Sequence, residues 1–438
     1  MGKVAELRKR LLFTLLILAL YRIGIFIAIP GVDMAALRFQ MNQDGGGGLL
    51  GLFSMFSGGA MEQASMFALG VMPYISSSII VQLLTVVVPS LDRLKKEGDA
   101  GQKKINQYTR YGTIVLGAIQ GIGIASYIYS MNGSGGAPVV PVESQTEFTL
   151  MAVLSLMTGS MLLMWMGEQI QERGIGNGTS VIIFAGIVAQ VIPSIIQTVS
   201  LSDLAGGDIQ TPTLLIVGGM IVVVIGIIVF FERGQRRIPV RYAKKVVGQR
   251  MYGGQNTYLP LKINTAGVIP PIFASSLLMF PAMIAGLFPG SSIQDWLQQN
   301  LQQGTTLYTI MYVALIMFFC FFYTAVVFNP IDVADNMKKF GGFIPGIRAG
   351  KKTAEYIDRV LSRITLGGAF YISAVCVMPL FLQGEFGVSF AFGGTSLLIV
   401  VGVALDSVQQ IESHLITHNY EGFGGPGGPR VRGRRARG

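Results

Sequence analysis

The sequence predicts an all-α polytopic membrane protein, and three observations carry that prediction. Hydrophobic residues make up 51% of the 438 positions and charged residues only 13%, where an ordinary soluble domain carries about 25% charged residues. Ten apolar runs have the length, about 20 residues, that a helix needs to cross the hydrocarbon core. Of the 33 Lys and Arg, 31 fall in six segments: 1–10, 91–110, 168–178, 232–262, 331–363 and the tail from 415. These alternate with five gaps that hold none except for Arg38 in the gap 30–65. Basic charge at every second gap is the positive-inside pattern, and it places those segments in the cytoplasm.

The runs are 11–29, 66–90, 106–130, 149–167, 179–199, 213–231, 263–288, 307–329, 361–382 and 394–413. Lipid cannot satisfy backbone polar groups, so spans of this length must be helices. An even number puts both termini on one side, and the charge pattern makes that side cytoplasmic. The first run follows a basic start, as in a signal peptide, but it is longer than an h-region of about 7–15 residues and nine runs follow. It is read as an uncleaved first helix. Pro73 should bend the second run near its start, and Pro270, Pro271 and Pro281 should kink the seventh. Residues 49–60, LLGLFSMFSGGA, are apolar but too short to cross, and follow a glycine linker, Gly45 to Gly48. The expectation is a re-entrant or interfacial piece. Ten spans are compatible with two inverted halves of five, although the halves share no evident sequence similarity. The organisation is a cytoplasmic segment 1–10, an N-terminal half 11–199, a C-terminal half 200–414 with cytoplasmic loops 232–262 and 331–361, and a basic tail 415–438. Gly, Pro and Arg dominate the tail, which should be disordered.

Enzymatic chemistry is hard to find. No GxxxxGK segment is present, so nucleotide hydrolysis is not expected. GIGNG at 174–178 lacks the strand and Lys of a phosphate loop and is read as a helix-initiating turn. His414 and His418 are one helical turn apart without Cys or acidic companions, so no metal is expected, and no cofactor either. Cys320 and Cys376 both lie in apolar runs and are read as free thiols. Ionisable residues inside spans are functional hypotheses by default, and here they are few: Arg22, for which an interhelical bond is the plainer role, and Asp406 near a cytoplasmic end. The spans hold neutral polar residues instead, among them Ser76, Ser77, Ser78, Gln82, Gln120, Asn264 and Thr265. Such groups bond between helices at about 0.6–2 kcal/mol and equally suit a water-lined or separable seam. The net charge of +10 implies attraction to anionic lipid, about 1 kcal/mol per basic residue near the surface. Nothing calls for DNA.

Nine stretches resemble the SecY family, the central pore subunit of the bacterial Sec protein translocase: MFSGGA (55–60), FALGVMPYISSSIIVQLLTVV (67–87), KINQYTRYGT (104–113), MWMGEQIQERGIGNG (164–178), FFERGQRRIPV (230–240), AGVIPPIFASS (266–276), FFCFFYTAVVFNP (318–330), FIPGIR (343–348) and FGGTSLLIVV (392–401). The resemblance runs from about 5 to 420. It implies two pseudo-symmetric halves around an hourglass pore in the bacterial cytoplasmic (inner) membrane. The pore passes unfolded secretory polypeptides and releases transmembrane segments sideways into lipid. It also implies a plug around Leu52, Phe53, Met55, Phe56, Ser57, Gly58 and Gly59, and a ring of Val71, Ile75, Thr179, Ile183, Ile272 and Ile399. The pairs 71/75 and 179/183 each share one helix face independently of family. Thr179 departs from the aliphatic residue usual there. A dry apolar constriction opposes ions while offering a passing chain no strong site. Ser76, Gln82, Gln120 and Asn264 would belong to a lateral gate.

By the same resemblance, the companions are SecE and the peripheral SecG, and the loops would dock the ribosome or the motor SecA. Arg236, Arg237, Arg241, Lys244, Lys245 and Arg250 form one basic cluster, and Arg348, Lys351 and Lys352 another. Phosphate-rich RNA would reward both. A small-solute transporter is the competing expectation; it predicts convergent ionisable groups at midplane. A structural scaffold is the third.

Overall fold

The structure is a computed structural model. It describes residues 5–43, 57–133, 138–142, 144–200, 211–242, 245–247, 250–252, 256–286, 296–297, 300–301, 304–386 and 394–424. Thirteen α-helices lie among the described residues: α1 (Ala5–Gly24), α2 (Met34–Gln43), α3 (Met72–Val87), α4 (Pro89–Lys96), α5 (Asp99–Ser130), α6 (Gln145–Arg173), α7 (Gly178–Ser200), α8 (Thr211–Arg233), α9 (Ile269–Gly286), α10 (Thr306–Val327), α11 (Pro330–Lys339), α12 (Lys351–Phe386) and α13 (Gly394–Gly424). Every predicted run contains one of them. Six helices are individually long and apolar enough to cross a membrane, and α3 with α4 makes a seventh if that pair, bent by 100°, counts as one.

The packing sorts the helices into two groups. In the first, α3 lies on α5, α5 on α6, α6 on α7, and α1 on α6 and α7. In the second, α9 lies on α10, α10 on α12, α12 on α13, and α8 on α12 and α13. The groups meet along two seams: α9 against α3 and α5, and α13 against α7. One apolar core runs through both, from Ile17 and Phe67 to Ile316 and Leu398.

Several boundaries differ from expectation for identifiable reasons. The first run stops being helical at Gly24. Beyond it, Ile25-Phe26-Ile27-Ala28-Ile29 alternates β-branched residues and ends at Pro30, which suits extended chain. Ala28 forms a bridge with Ser65 there. Pro73 does not bend α3. It stands in the first turn, where a missing N–H costs nothing, and residues before Met72 are a series of turns. Pro270 and Pro271 likewise open α9, which begins at Ile269 and keeps only Pro281 inside. The end of α3 is set by Pro89: Val88 before it is extended (φ −97°, ψ 111°), as the residue preceding proline prefers. The piece at 49–60 and its linker lie outside the described residues up to 56.

The two long basic loops contain β-structure that hydropathy did not foretell. Strand β1 (Gln235–Tyr242) pairs antiparallel with β4 (Asn256–Lys262) and, at Arg241↔Phe343 and Tyr242↔Gly342, with β5 (Gly342–Phe343). A second hairpin joins β2 (Lys245–Val247) to β3 (Arg250–Tyr252). The inward residues Ile238, Val240 and Leu261 pack with Met337, Ile344 and Ile357 into a separate small core. The two basic loops are therefore one body. Ile357→Ala, in a site that is fully buried, should loosen this body by about 2–4 kcal/mol. Limited proteolysis should then cut within 232–262 and 331–363 sooner, with the membrane-embedded fragments left intact.

Candidate functional site

A cavity of about 450 Å³ opens between the two groups of helices. Its apolar lining includes Ile75 from α3, Ile183 from α7 and Ile272 with Phe273 from α9, with Thr179 of α7 and Tyr323 of α10 beside them. The other part of its wall is polar: Gln102, Asn106 and Arg110 from α5, and Glu168, Gln171 and Glu172 from α6. Those polar residues belong to the end of the molecule that carries the basic segment 91–110. Arg110 grips Glu168 with two nitrogens, Nε at 3.0 Å and Nη2 at 2.7 Å, a bidentate pairing that fixes both planes. It ties α5 to α6 beside the opening. No sequence spacing could have announced this pair.

Four of the six residues expected to form a ring thus line one cavity. Val71 at the head of α3 and Ile399 in α13 do not. They are buried (3% and 0% exposed) in the same apolar core as Ile75, Ile183 and Ile272. The turn GIGNG joins α6 to α7 and sets where Thr179 begins the helix. It does so by close approach: a Cβ on Gly178 would overlap the Gly167 carbonyl.

Of the expected plug residues, Leu52, Phe53, Met55 and Phe56 lie outside the described residues. Ser57 and Gly58 are buried and Gly59 is half-buried. Tyr21 Oη donates to the Ser57 carbonyl at 3.1 Å, and Arg22 Nη1 to the Gly58 carbonyl at 3.0 Å. Arg22, in the last turn of α1, therefore makes a bond to a turn rather than the helix-to-helix bond that was its plainer role.

Of the residues expected at a gate, Ser76 and Gln82 lie on α3, Gln120 on α5 and Asn264 just before α9, and among the described residues none bonds to another. Gln82 Nε2 donates to Ser78 Oγ of its own helix at 3.1 Å. Gln120 is buried, and its Oε1 has no hydrogen-bond partner among the described residues. Asn264 Nδ2 donates to Glu232 Oε1 at 2.6 Å and to the Gly267 carbonyl at 3.0 Å, tying the start of α9 to the end of α8. Ser76 is buried in α3. The polar contact that does cross from α9 to α3 is weak: Ser276 Oγ to Met72 Sδ at 3.8 Å.

Arg236, Arg237 and Arg241 are exposed on β1, and Arg348 and Lys351 are exposed beside β5 and at the start of α12. Lys352 is exposed there too. Lys244 lies outside the described residues, as do the side chains of Lys245 and Arg250. Thr353 Oγ1 donates to the Arg348 carbonyl at 3.0 Å, and Ile347 N to the Ile344 carbonyl at 3.1 Å. This fixes the backbone while the Arg348 side chain stays free to reach outward. The joining of the two basic clusters was missed from sequence. The signal was the alternation of Ile238 and Val240 with Arg237, Pro239 and Arg241.

Among the described residues no cluster of His, Cys, Asp and Glu is arranged to hold a metal, and Cys320 and Cys376 are buried free thiols.

Residues 65–408 match the family model SecY. The chain is 52% identical over 423 residues to the protein translocase subunit SecY of Escherichia coli (strain K12), covering 96% of this chain and 94% of that one. It is 50% identical over 431 residues to the subunit of the same name from Streptomyces galbus, covering 96% and 98%. Among solved structures, one described as a protein conducting channel aligns at TM-score 0.62 with 16% identity, over 96% of this chain and 95% of the other. Sec61 from the canine ribosome-channel complex aligns at 0.58 with 15% identity, over the same shares.

The two polar residues should differ sharply on substitution. Asn264→Leu strands the Glu232 carboxylate and should cost about 1.5–3 kcal/mol, whereas Gln82→Leu loses one neutral bond within a helix and should cost under about 1 kcal/mol. Thermal unfolding in detergent should show the order; equal shifts would contradict it.

Proposed function

This chain belongs to the SecY family, and from that premise we propose that it is the pore subunit of a protein translocase. It conducts unfolded secretory polypeptides across the cytoplasmic membrane and releases apolar segments sideways into lipid. The observation that carries the reading is the cavity, with a polar wall at one end and apolar side chains of α3, α7 and α9 converging within it. A polar, hydrated mouth that ends in a dry constriction opposes ions when idle and binds a passing chain only weakly.

In this reading ten helices form two inverted halves of five, and both termini are cytoplasmic. The two packing groups and their two seams support the division. Val71, Ile75, Thr179, Ile183, Ile272 and Ile399 form the ring. Thr179 puts a hydroxyl among aliphatic groups and weakens the seal on its side. The plug is the segment from Leu52 to Gly59. The α3/α5/α9 seam is the gate, with Ser76, Gln82, Gln120 and Asn264 along it. Among the described residues the polar contact across the seam is the weak Ser276–Met72 one, and a seam held so loosely parts at little cost when an apolar segment arrives.

The chain supplies no energy itself and works with partners. SecE braces the two halves, SecG lies at the periphery, and SecA or the ribosome docks on the cytoplasmic body. Sec61 and Ssh1, which share the fold, are known in ribosome-bound form. Arg236, Arg237 and Arg241 on one side and Arg348 and Lys351 on the other share that body, so one partner engages both loops at once. Lys244, Lys245 and Arg250 extend the first cluster, and phosphate contacts of this kind are salt-sensitive. Anionic lipid neutralises the remaining basic charge at the membrane surface.

Photo-crosslinkers at Ile75, Ile183 and Ile399 should capture a stalled secretory chain in reconstituted vesicles. Capture only at lipid-facing control positions would exclude the pore. Arg348→Glu should impair motor-driven export in the same vesicles while the variant inserts and folds normally; undiminished export would remove Arg348 from the docking surface.

A further inference from the structure

Arg22 stands apart from the rest of the basic charge. It lies in an apolar run, in the last turn of α1. A cation placed there is costly and marks a function by default. Its neighbour Tyr21 is 2% exposed and stacks on Phe67, with ring centroids 6.1 Å apart. The two side chains reach consecutive carbonyls, Ser57 and Gly58, at 3.1 and 3.0 Å.

The turn that carries those carbonyls is held from the other side by α7. Gly58 (φ +68°) sits against Gly186, where a Cβ would come within 2.6 Å of the Gly186 Cα. Gly59 follows at φ +83°, with Gln190 beside it. The chain beyond is pinned as well: Ile29 N donates to the Ala64 carbonyl at 2.7 Å and Met66 N to the Ile27 carbonyl at 2.9 Å. The turn is thus the end of a well-anchored segment, with two side-chain donors on one flank and a bare glycine backbone on the other.

We propose that Tyr21 and Arg22 are positioning residues of the plug, a two-donor latch that holds the Ser57–Gly59 turn against α7 and so sets how readily the channel opens. The inference rests on the reading of this segment as the plug. Both acceptors are main-chain oxygens, so the latch acts regardless of which side chains the plug carries. Movement of Gly58 away from α1 leaves the guanidinium without its carbonyl. Water is the replacement at hand, so release is coupled to wetting of the space around Arg22. A dry idle channel stays latched, and one wetted by an arriving polypeptide is released.

The test uses the translocase reconstituted with its partner subunits in vesicles. Two quantities are read: the ion leak of the idle channel, and the ratio of defective-signal to intact-signal export. Loss of a neutral bond shifts a two-state equilibrium about threefold to tenfold, and loss of a charged one at least about tenfold. Tyr21→Phe should therefore raise leak and ratio about threefold, and Arg22→Met at least about tenfold. Arg22→Lys keeps a cationic donor and should fall between Arg22→Met and the parent. A merely structural defect would lower both kinds of export together and leave the ratio unchanged. Gly59→Ala is the independent control, because a Cβ at φ +83° strains the turn and meets Gln190 of α7 at 3.2 Å, while neither donor lies within 4 Å of it. If Gly59→Ala leaks while Tyr21→Phe and Arg22→Met match the parent, the latch is wrong and the plug reading stands. If none of the three leaks, the plug reading falls and the latch with it. Should Arg22→Met fail to accumulate, Tyr21→Phe decides, since it removes one oxygen and keeps the ring on Phe67.

Discussion

Within a bilayer every backbone N–H and C=O needs a partner from the protein itself, and irregular chain survives there only when protein encloses it. Among the described residues of the first half, two irregular pieces, 25–31 and 57–71, adjoin the apolar helices α1 and α3, and much of the arrangement follows from how their backbone groups are satisfied. They pair with each other, through the Ala28–Ser65 bridge and the Ile29–Ala64 and Met66–Ile27 bonds. Ser65 Oγ adds a bond to the Gly24 carbonyl at 3.4 Å. Tyr21 and Arg22 cover two more carbonyls. Helices then close around the pair. Gly159 of α6 lets the Met66 carbonyl approach so closely that a Cβ would collide with it, and Phe67 is packed where a side chain on Gly24 would otherwise sit.

The same constraint explains why the halves differ in how firmly they join. Within each group helices pack through large apolar faces, and α5 is further tied to α3 by Ser77 Oγ to the Thr109 carbonyl at 2.7 Å and to α6 by Arg110–Glu168. Among the described residues the tie across the α9–α3 seam is the Ser276–Met72 contact. A bilayer supplies no hydrophobic drive for helix association, so a seam is as strong as its packing and its hydrogen bonds. A boundary with few of the latter is held chiefly by its packing.

Outside the membrane the logic reverses. The body formed by the two basic loops has its own apolar core, walled by β1 and β4 on one side and by α11, α12 and the residue after β5 on the other. Water makes this burial favourable. The body exists only because chain segments about a hundred residues apart contribute to it. Its exposed arginines are held in fixed relation by Ile238, Val240 and Ile357 beneath them.

Much of this was legible in the sequence, because hydropathy and charge are local properties and the bilayer reads them locally. The ten apolar runs each hold a helix, and GIGNG is a turn. The i,i+4 pair on α7 did bring Thr179 and Ile183 to one cavity, whereas of the pair 71/75 only Ile75 lines it, because Val71 stands before the first turn of α3. What tertiary structure alone decided depends on partners distant along the chain. Apolar content could not say that α1 stops at Gly24, because the residues after it are equally apolar but pair as extended chain with 64–66. Nor could it say that Pro73, Pro270 and Pro271 start helices rather than bend them, since the difference lies in whether the preceding turn is helical. The bonds of Asn264 to Glu232 and of Arg22 to Gly58, and the joining of two basic loops through β1 and β5, are likewise long-range. Composition specified which segments are apolar helices; only the fold could specify which polar group meets which, because a buried donor is satisfied by geometry and not by sequence distance.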